Sequence, residues 1–126
     1  MKRFCMLLCS ALFVSNACAE WSFVNGDGAA SQYVDRGRIQ RSGDLSKIWV
    51  GVDYVEPRTF NGVIFNSVVV QEEYDCENEL RRTRFVTLNS GRMFSGENLA
   101  SDPAVTNWNP IPPGSAGDMF LKIACD

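Results

Sequence analysis

The sequence predicts an α+β fold, a single small antiparallel β-sheet of about five to six strands with a short C-terminal helix packed on it. Short segments that alternate apolar and polar residues are separated by Asn-Gly, Asp-Gly and Ser-Gly pairs, which is typical of an antiparallel meander. The final residues instead carry a helical pattern behind a capping serine. A chain of 126 residues supports one small domain of this kind.

The first nineteen residues have the three-part layout of a secretory signal peptide. The basic start Met1–Arg3 precedes an apolar or small run, Phe4–Val14, which is shorter than the roughly 20 residues of a transmembrane helix. Small residues then stand at −3 and −1 before Glu20. We expect export, cleavage between Ala19 and Glu20, and a mature domain over residues 20–126 that has no transmembrane segment.

A bacterial lipoprotein signal is the alternative, because the small residue Ala17 precedes Cys18. That signal prefers Leu three residues before the cysteine, and Ser15 stands there instead. A lipid on Cys18 would anchor the chain to a membrane, whereas simple cleavage would release it. The expected location is the periplasm or the outer-membrane surface.

The extended segments follow in order. Trp21–Val24 is a brief apolar opening, and Asn25–Gly28 favours a turn over a calcium loop because the spacing of an EF-hand is absent. Pro57 and Asn61-Gly62 mark a later connection. The expected strands are Gln32–Asp35, Arg38–Arg41, Lys47–Tyr54, Val63–Cys76, Glu79–Leu88 and Arg92–Phe94.

The C-terminal fifth of the chain predicts a loop and then a helix. Residues 95–114 contain four prolines and Trp108, and we favour an ordered loop that covers the sheet over a proline-rich ligand for another module. Ser115 is the expected N-cap, with Asp118 three residues on. The helix is expected over residues 116–124.

Two cysteines, Cys76 and Cys125, remain once the signal is removed. In an oxidising compartment an even pair predicts a disulfide. A redox pair would normally be far closer in sequence, and two thiolates without histidine make a poor metal site. The expected bond attaches the C-terminal helix to the sheet.

The composition excludes several functions. No histidine is present, which removes Ser-His-Asp and Cys-His catalysis and histidine-ligated zinc. Without the signal, 10 basic residues face 15 acidic ones, a net charge of −5 that argues against a nucleic-acid partner. The acidic run from Glu72 to Glu79 favours a solvated strand end and turn over a cation site. We expect no catalytic residue, no metal and no cofactor.

The basic cluster of the mature chain is Arg81, Arg82 and Arg84. Arg82 and Arg84 share a face of their strand and could receive a carboxylate or phosphate group from a partner. They could equally pair across the sheet with the acidic strand beside them, and that interpretation is favoured.

The motifs together resemble the surface-adhesin protein E family of exported or lipid-anchored proteins of Gram-negative bacteria. They are YVD at 33–35, a strand with Trp49, EYDC at 73–76 before an Arg-rich strand, Trp108 with NPIPPGS, and Cys125. The resemblance implies a sheet of about six strands, a helix near the C-terminus and the Cys76–Cys125 bond. It also implies attachment to host extracellular proteins such as vitronectin and laminin, and dimerisation.

The predicted function is an exported, non-enzymatic module that binds a protein partner, such as an extracellular matrix protein of a host. The candidate surface comprises Arg81, Arg82, Arg84 and Trp108, and a homodimer is a further expected assembly. A periplasmic structural or envelope component without a host ligand is the alternative. An enzyme would need a pocket in which two carboxylates converge.

Overall fold

A computed structural model of the protein describes residues 19–126. The predicted signal peptide up to residue 18 and the alternative lipid on Cys18 lie outside this range. Within it, eight strands form one antiparallel sheet and a single α-helix follows them. The strands are β1 (Trp21–Gly26), β2 (Ala30–Asp35), β3 (Gln40–Ser42), β4 (Leu45–Phe60), β5 (Val63–Asp75), β6 (Leu80–Asn89), β7 (Asn98–Asp102) and β8 (Asn109–Pro110), and the helix is α1 (Ala116–Cys125).

The sheet has eight strands, so the expected number of about five to six is wrong. Six of them lie side by side in the order β1-β2-β4-β5-β6-β7. The other two are short: β3 pairs with β4 beyond the end of β2, and β8 pairs with β6 beyond the end of β7. The expected strand Arg38–Arg41 overlaps β3, whereas β8 has two residues, is too short to carry an alternating pattern and is missed.

Three local expectations are also corrected. Arg92–Phe94 is a 3-10 turn instead of a strand, and the expected loop over residues 95–114 contains β7 and β8. Pro57 lies inside β4 without ending it. The pairing of β4 with β5 shifts register between Asp53 and Arg58, and a proline is tolerated in such an irregular stretch because it need not donate a ladder hydrogen bond.

The hairpin of β4 and β5 extends beyond the rest of the sheet. Its turn is Asn61-Gly62, with φ angles of 47° and 77°, the left-handed pair that a two-residue hairpin turn requires. Phe60 and Ile64 beside this turn are largely exposed. This end of the hairpin, residues 58–65, is called the hairpin arm below.

Helix α1 begins and ends close to the expected residues. Ser115 is its N-cap, and the Ser115 hydroxyl accepts a hydrogen bond from the Asp118 amide at 3.2 Å. The Asp118 carboxylate accepts from the Gly114 amide at 3.0 Å. At the other end, Arg41 of β3 donates to the Cys125 carbonyl at 2.8 Å, which satisfies one of the last free carbonyls of the helix.

Helix α1 covers part of one face of the sheet, called the helix-covered face. Its residues Phe120, Leu121 and Ala124 pack on Val34, Ile48, Val50, Tyr74 and Ile111, all of them buried. Gly117 allows the close approach, because a Cβ there would lie 2.8 Å from a guanidinium nitrogen of Arg81. A second apolar cluster lies further along this face and comprises Phe65, Val68 and Leu88 with partly buried neighbours.

The opposite face of the sheet is closed by its own loops. Phe94 folds back so that its ring lies on Gly51, and it packs against Trp21 with ring centroids 4.5 Å apart. Met93 and Phe94 both have positive φ, which is uncommon for residues that carry a Cβ. Hydrogen bonds hold them there: the Met93 amide donates to Asp53 at 2.8 Å and the Phe94 amide to Ser67 at 2.9 Å.

The expected disulfide joins Cys76 and Cys125, whose Cα atoms are 5.7 Å apart. It links the end of β5 to the last residue of α1. The bond therefore fixes the C-terminal end of the helix to the centre of the sheet, as the sequence predicts.

The disulfide is expected to contribute much of the stability. Replacing both Cys76 and Cys125 by serine should lower the free energy of unfolding by about 2–5 kcal/mol, because the unfolded chain regains the freedom that the 49-residue span had lost. Urea denaturation measures the change, and reducing the wild-type protein is the control. A double variant as stable as the oxidised wild type would contradict this role.

Glycine at position 51 is expected to be required by the Phe94 ring. Gly51→Ala should destabilise the fold by about 1–3 kcal/mol, because the added methyl group overlaps that ring. In the double variant with Phe94→Ala, the Gly51 substitution should cost much less. Thermal unfolding of the four proteins measures this coupling, and additive losses would show that the two positions do not interact.

Candidate binding surface

The face opposite α1 carries arginine and aromatic side chains in contact with one another. This arginine–aromatic face is defined by Arg38, Trp49, Arg82, Arg84, Phe85 and Trp108. It spans β4, β5 and β6, with contributions from the turn after β2 and from the segment before β8. Three of the four residues of the predicted surface, Arg82, Arg84 and Trp108, belong to it.

Glu73 is the buried anion beneath this face. Its side chain is 4% exposed, and its Oε1 atom accepts from Arg82 Nε at 2.7 Å and lies 3.3 Å from Arg84 Nη1. The two arginines are 24% and 30% exposed, so they cover the carboxylate while their outer edges reach solvent. Arg82 and Arg84 thus pair across the sheet with the acidic strand, and this confirms the interpretation that the sequence favours.

A β-bulge brings the two arginines to one carboxylate. In the pairing of β5 with β6, Glu72 lies opposite Thr83 and Gln71 lies opposite Phe85, which leaves Arg84 as the extra residue. An extra residue re-aims the side chains around it. Arg84 consequently contacts the same Glu73 oxygen as Arg82.

Trp108 is held over Arg82 by the segment that precedes and includes β8. The Thr106 amide donates to the Thr83 carbonyl at 2.9 Å, and the Thr83 amide donates to the Thr106 hydroxyl at 2.9 Å. Asn109 then pairs with Arg81. The Arg82 guanidinium carbon lies 4.3 Å from the centre of the Trp108 ring, within cation–π range.

A second arginine is fixed in the same way nearby. Arg38 Nε donates to the carboxylate of Asp35 at 2.6 Å, and its guanidinium carbon lies 5.2 Å from the centre of the Trp49 ring. Trp49 in turn meets Phe85 edge to face, with centroids 6.1 Å apart. Asp35 is 1% exposed. Burial raises the pKa of Asp35, but hydrogen bonds from Arg38 and from backbone amides outweigh burial and the net pKa is lowered.

Asp53 repeats the arrangement at the far side of the face. Its carboxylate accepts from Arg92 Nη2 at 2.8 Å while it is almost completely buried, and Arg92 is half exposed. The hydrogen bond from Arg92 lowers the pKa of Asp53 despite its burial. Three buried carboxylates on one face therefore each hold an arginine whose outer edge faces solvent.

Arg81 does not belong to this surface, although it is adjacent in sequence to Arg82. Neighbouring residues of a strand point to opposite faces, and Arg81 lies under the start of α1, next to Gly117. Glu72 lies on the same helix-covered face as Arg81. The sequence cluster of three arginines is therefore divided between the two faces.

The acidic run differs from its predicted solvated state at two positions. Glu73 is buried, as described, and Glu72 lies beside the core of the helix-covered face, where the Thr83 hydroxyl donates to it at 3.2 Å. Burial raises the pKa of Glu72 from 4.5 to about 7, only partly offset by the positive charge of Arg81. The residues after them fit the prediction of a turn: the Asp75 carboxylate accepts from the amides of Glu77 and Asn78.

The neighbours Glu72 and Glu73 are expected to respond oppositely to removal of their charge. The folded chain keeps Glu72 protonated until pH about 7, whereas the unfolded chain ionises it near 4.5, so wild-type stability falls as the pH rises between these values. Glu72→Gln removes this loss. It should raise the free energy of unfolding by about 2 kcal/mol at pH 8 and leave it almost unchanged at pH 4.

Glu73→Gln is the matched comparison. It should lower the free energy of unfolding by about 1–3 kcal/mol at pH 8, because Arg82 and Arg84 lose the anion that both of them contact. Urea denaturation of both variants at the two pH values measures the difference. Equal effects of the two substitutions at pH 8 would contradict the opposite environments described above.

The comparisons with known proteins agree with the sequence resemblance. The family model for surface-adhesin protein E matches residues 21–126. The solved structure of Haemophilus influenzae protein E has the same fold, with a TM-score of 0.66 over 83% of each chain and 12% sequence identity. No curated protein matches this chain. Over residues 19–126, no helix is long and apolar enough to cross a membrane. Since the family model spans nearly all of these residues, the chain belongs to the surface-adhesin protein E family.

Proposed function

We propose that this domain is an exported, non-enzymatic adhesin module that binds a protein partner through its arginine–aromatic face. The observation that carries the proposal is the position of Arg82, held between the buried carboxylate of Glu73 and the ring of Trp108. Family membership supports a surface adhesin over a structural envelope component.

Arginines that are already held in place suit binding, because their side-chain conformational entropy has been lost on folding and is not lost again when a partner binds. A free arginine loses about 0.5–1.5 kcal/mol of side-chain freedom when a complex immobilises it. Arg82 and Arg38 are already held by a carboxylate on one side and a tryptophan on the other. Arginine and tryptophan are also among the residues that contribute most to protein–protein binding energy.

The charge distribution favours an acidic segment of the partner. The chain without its predicted signal carries a net charge of −5, yet three carboxylates on this face, those of Asp35, Asp53 and Glu73, are buried beneath arginines. Arg82 and Arg84 share one anion, which leaves an excess of positive charge at the surface. A carboxylate from the partner could accept hydrogen bonds from the outer nitrogens of both.

A catalytic role has no support in the arrangement of the acids. The chain contains no histidine. Glu72 and Glu73 lie on opposite faces of the sheet, so these two carboxylates cannot act together on one substrate. We therefore propose binding without chemistry, with a host extracellular protein as the partner and the outer-membrane surface as the location.

The test removes the surface charge without leaving a buried ion unpaired. Reversing Arg82 and Arg84 alone would strand Glu73, so we combine Arg82→Gln, Arg84→Gln and Glu73→Gln. The control is Lys122→Gln, which changes the net charge by the same amount. The Lys122 side chain is exposed on the outer side of α1. Immobilised vitronectin and laminin are the probes, because the family resemblance implies them.

The triple variant should bind at least about tenfold more weakly than wild type and lose most of the salt dependence of binding. The Lys122→Gln control should bind like wild type. Circular dichroism checks that each variant is folded. Equal binding by the triple variant and the control would remove this face from consideration, and no binding by the wild type would exclude these two host proteins.

A further inference from the structure

A second surface lies on the helix-covered face, in the part of that face that α1 does not cover. There the hairpin arm, β6 and β7 line an open groove of about 660 Å³. Its walls are mainly apolar and include Phe60, Val63, Phe65, Val86, Leu88 and Ala100. Phe60 remains largely exposed at one side of the groove. A groove of this size is comparable to sites that hold a ligand or several side chains.

The strand β7 provides an unpaired backbone edge next to this groove. It is the last strand in the sheet order, and within residues 19–126 it pairs only with β6. The backbone groups of β7 that do not bond to β6 therefore point outwards. An extended peptide can add to such an edge as a further strand, with main-chain hydrogen bonds supplying affinity and side-chain pockets supplying specificity.

The charge at the groove selects the kind of peptide. Asp102 lines the groove, and the described residues that line it with Asp102 include no arginine or lysine. In the part of the chain that the structure describes, Asp102 forms no ion pair. A lysine or arginine of the occupant would therefore find a free carboxylate. This preference is opposite to that of the arginine–aromatic face.

We propose that β7 and its groove bind an extended segment of a partner protein that carries an apolar residue and, two positions away, a lysine or arginine. The spacing follows from the strand geometry. Ala100 and Asp102 are opposite Leu88 and Val86 of β6 and both line the groove. In an added strand, residues two apart face the same side, so one side chain enters the groove beside Ala100 while the other reaches Asp102.

The small side chain of Ala100 makes room for the entering residue. Ser101 between Ala100 and Asp102 points to the other face, where its hydroxyl lies 3.3 Å from that of Thr87. A bulky residue at position 100 would fill the groove, whereas the same residue at position 101 would leave it open. These adjacent positions on one exposed strand provide a matched pair of variants.

The test uses short capped peptides in which valine and threonine alternate and lysine replaces one valine. Fluorescence anisotropy measures their binding to the wild-type protein, to Ala100→Trp and to the control Ser101→Trp. The lysine peptide should bind wild type and Ser101→Trp, and Ala100→Trp should abolish the binding. Asp102→Lys should weaken the lysine peptide about two- to fivefold and reverse the preference in favour of a glutamate peptide.

Hydrogen exchange on the wild-type protein provides a readout that needs no variant. Bound peptide should protect outward amides of β7 but not those of β1 at the other edge. An N-methylated lysine peptide, which cannot donate the strand hydrogen bonds, should not bind. Unchanged binding by Ala100→Trp, or equal binding of the N-methylated peptide, would overturn the proposal. A wild-type dimer that Ala100→Trp dissociates, with no peptide binding, would overturn it in favour of a second copy as the occupant.

Discussion

In the part of the chain that the structure describes, one helix must serve a sheet with two faces, and the rest of the structure depends on this constraint. The apolar side chains of a sheet must be shielded from water, and α1 covers only part of one face. The disulfide between Cys76 and Cys125 and the hydrogen bond from Arg41 hold the end of the helix on that face. Everything else in the sheet must be covered by loops, by its own side chains or by another molecule.

The opposite face meets this constraint with polar residues. Asp35, Asp53 and Glu73 are buried there, and arginines that lie partly in solvent cover them. Burying a carboxylate is costly unless it is paired and hydrogen-bonded, so each pair also fixes the geometry of its arginine. The arginines that close this face are thus the same ones that the proposed binding of an acidic partner would use.

The sequence predicts the parts of the molecule that follow from local patterns. Ser115 as an N-cap and the Cys76–Cys125 bond follow from residue type and spacing, and both are present. The separation of Arg81 from Arg82 and Arg84 also follows from alternation along a strand. The burial of Glu73 does not, because it depends on arginines from a neighbouring strand and on the bulge at Arg84.

The missed strands have a similar cause. β7 and β8 are defined by their pairing with β6, and neither has an alternating pattern of its own. The position of Trp108 follows from β8 and from the two hydrogen bonds between Thr83 and Thr106. These features depend on pairing between segments that are distant in sequence, so local periodicity does not predict them.

The disulfide also determines how the domain would carry mechanical force. It closes a covalent ring from Cys76 to Cys125 that contains β6, β7, β8 and α1. Tension that enters at the N-terminal end and leaves through a ligand on Arg82 passes along the short path from Cys76 to Arg82. The remainder of the ring, including Trp108, bears little of that load, so under shear the strands before Cys76 would extend first.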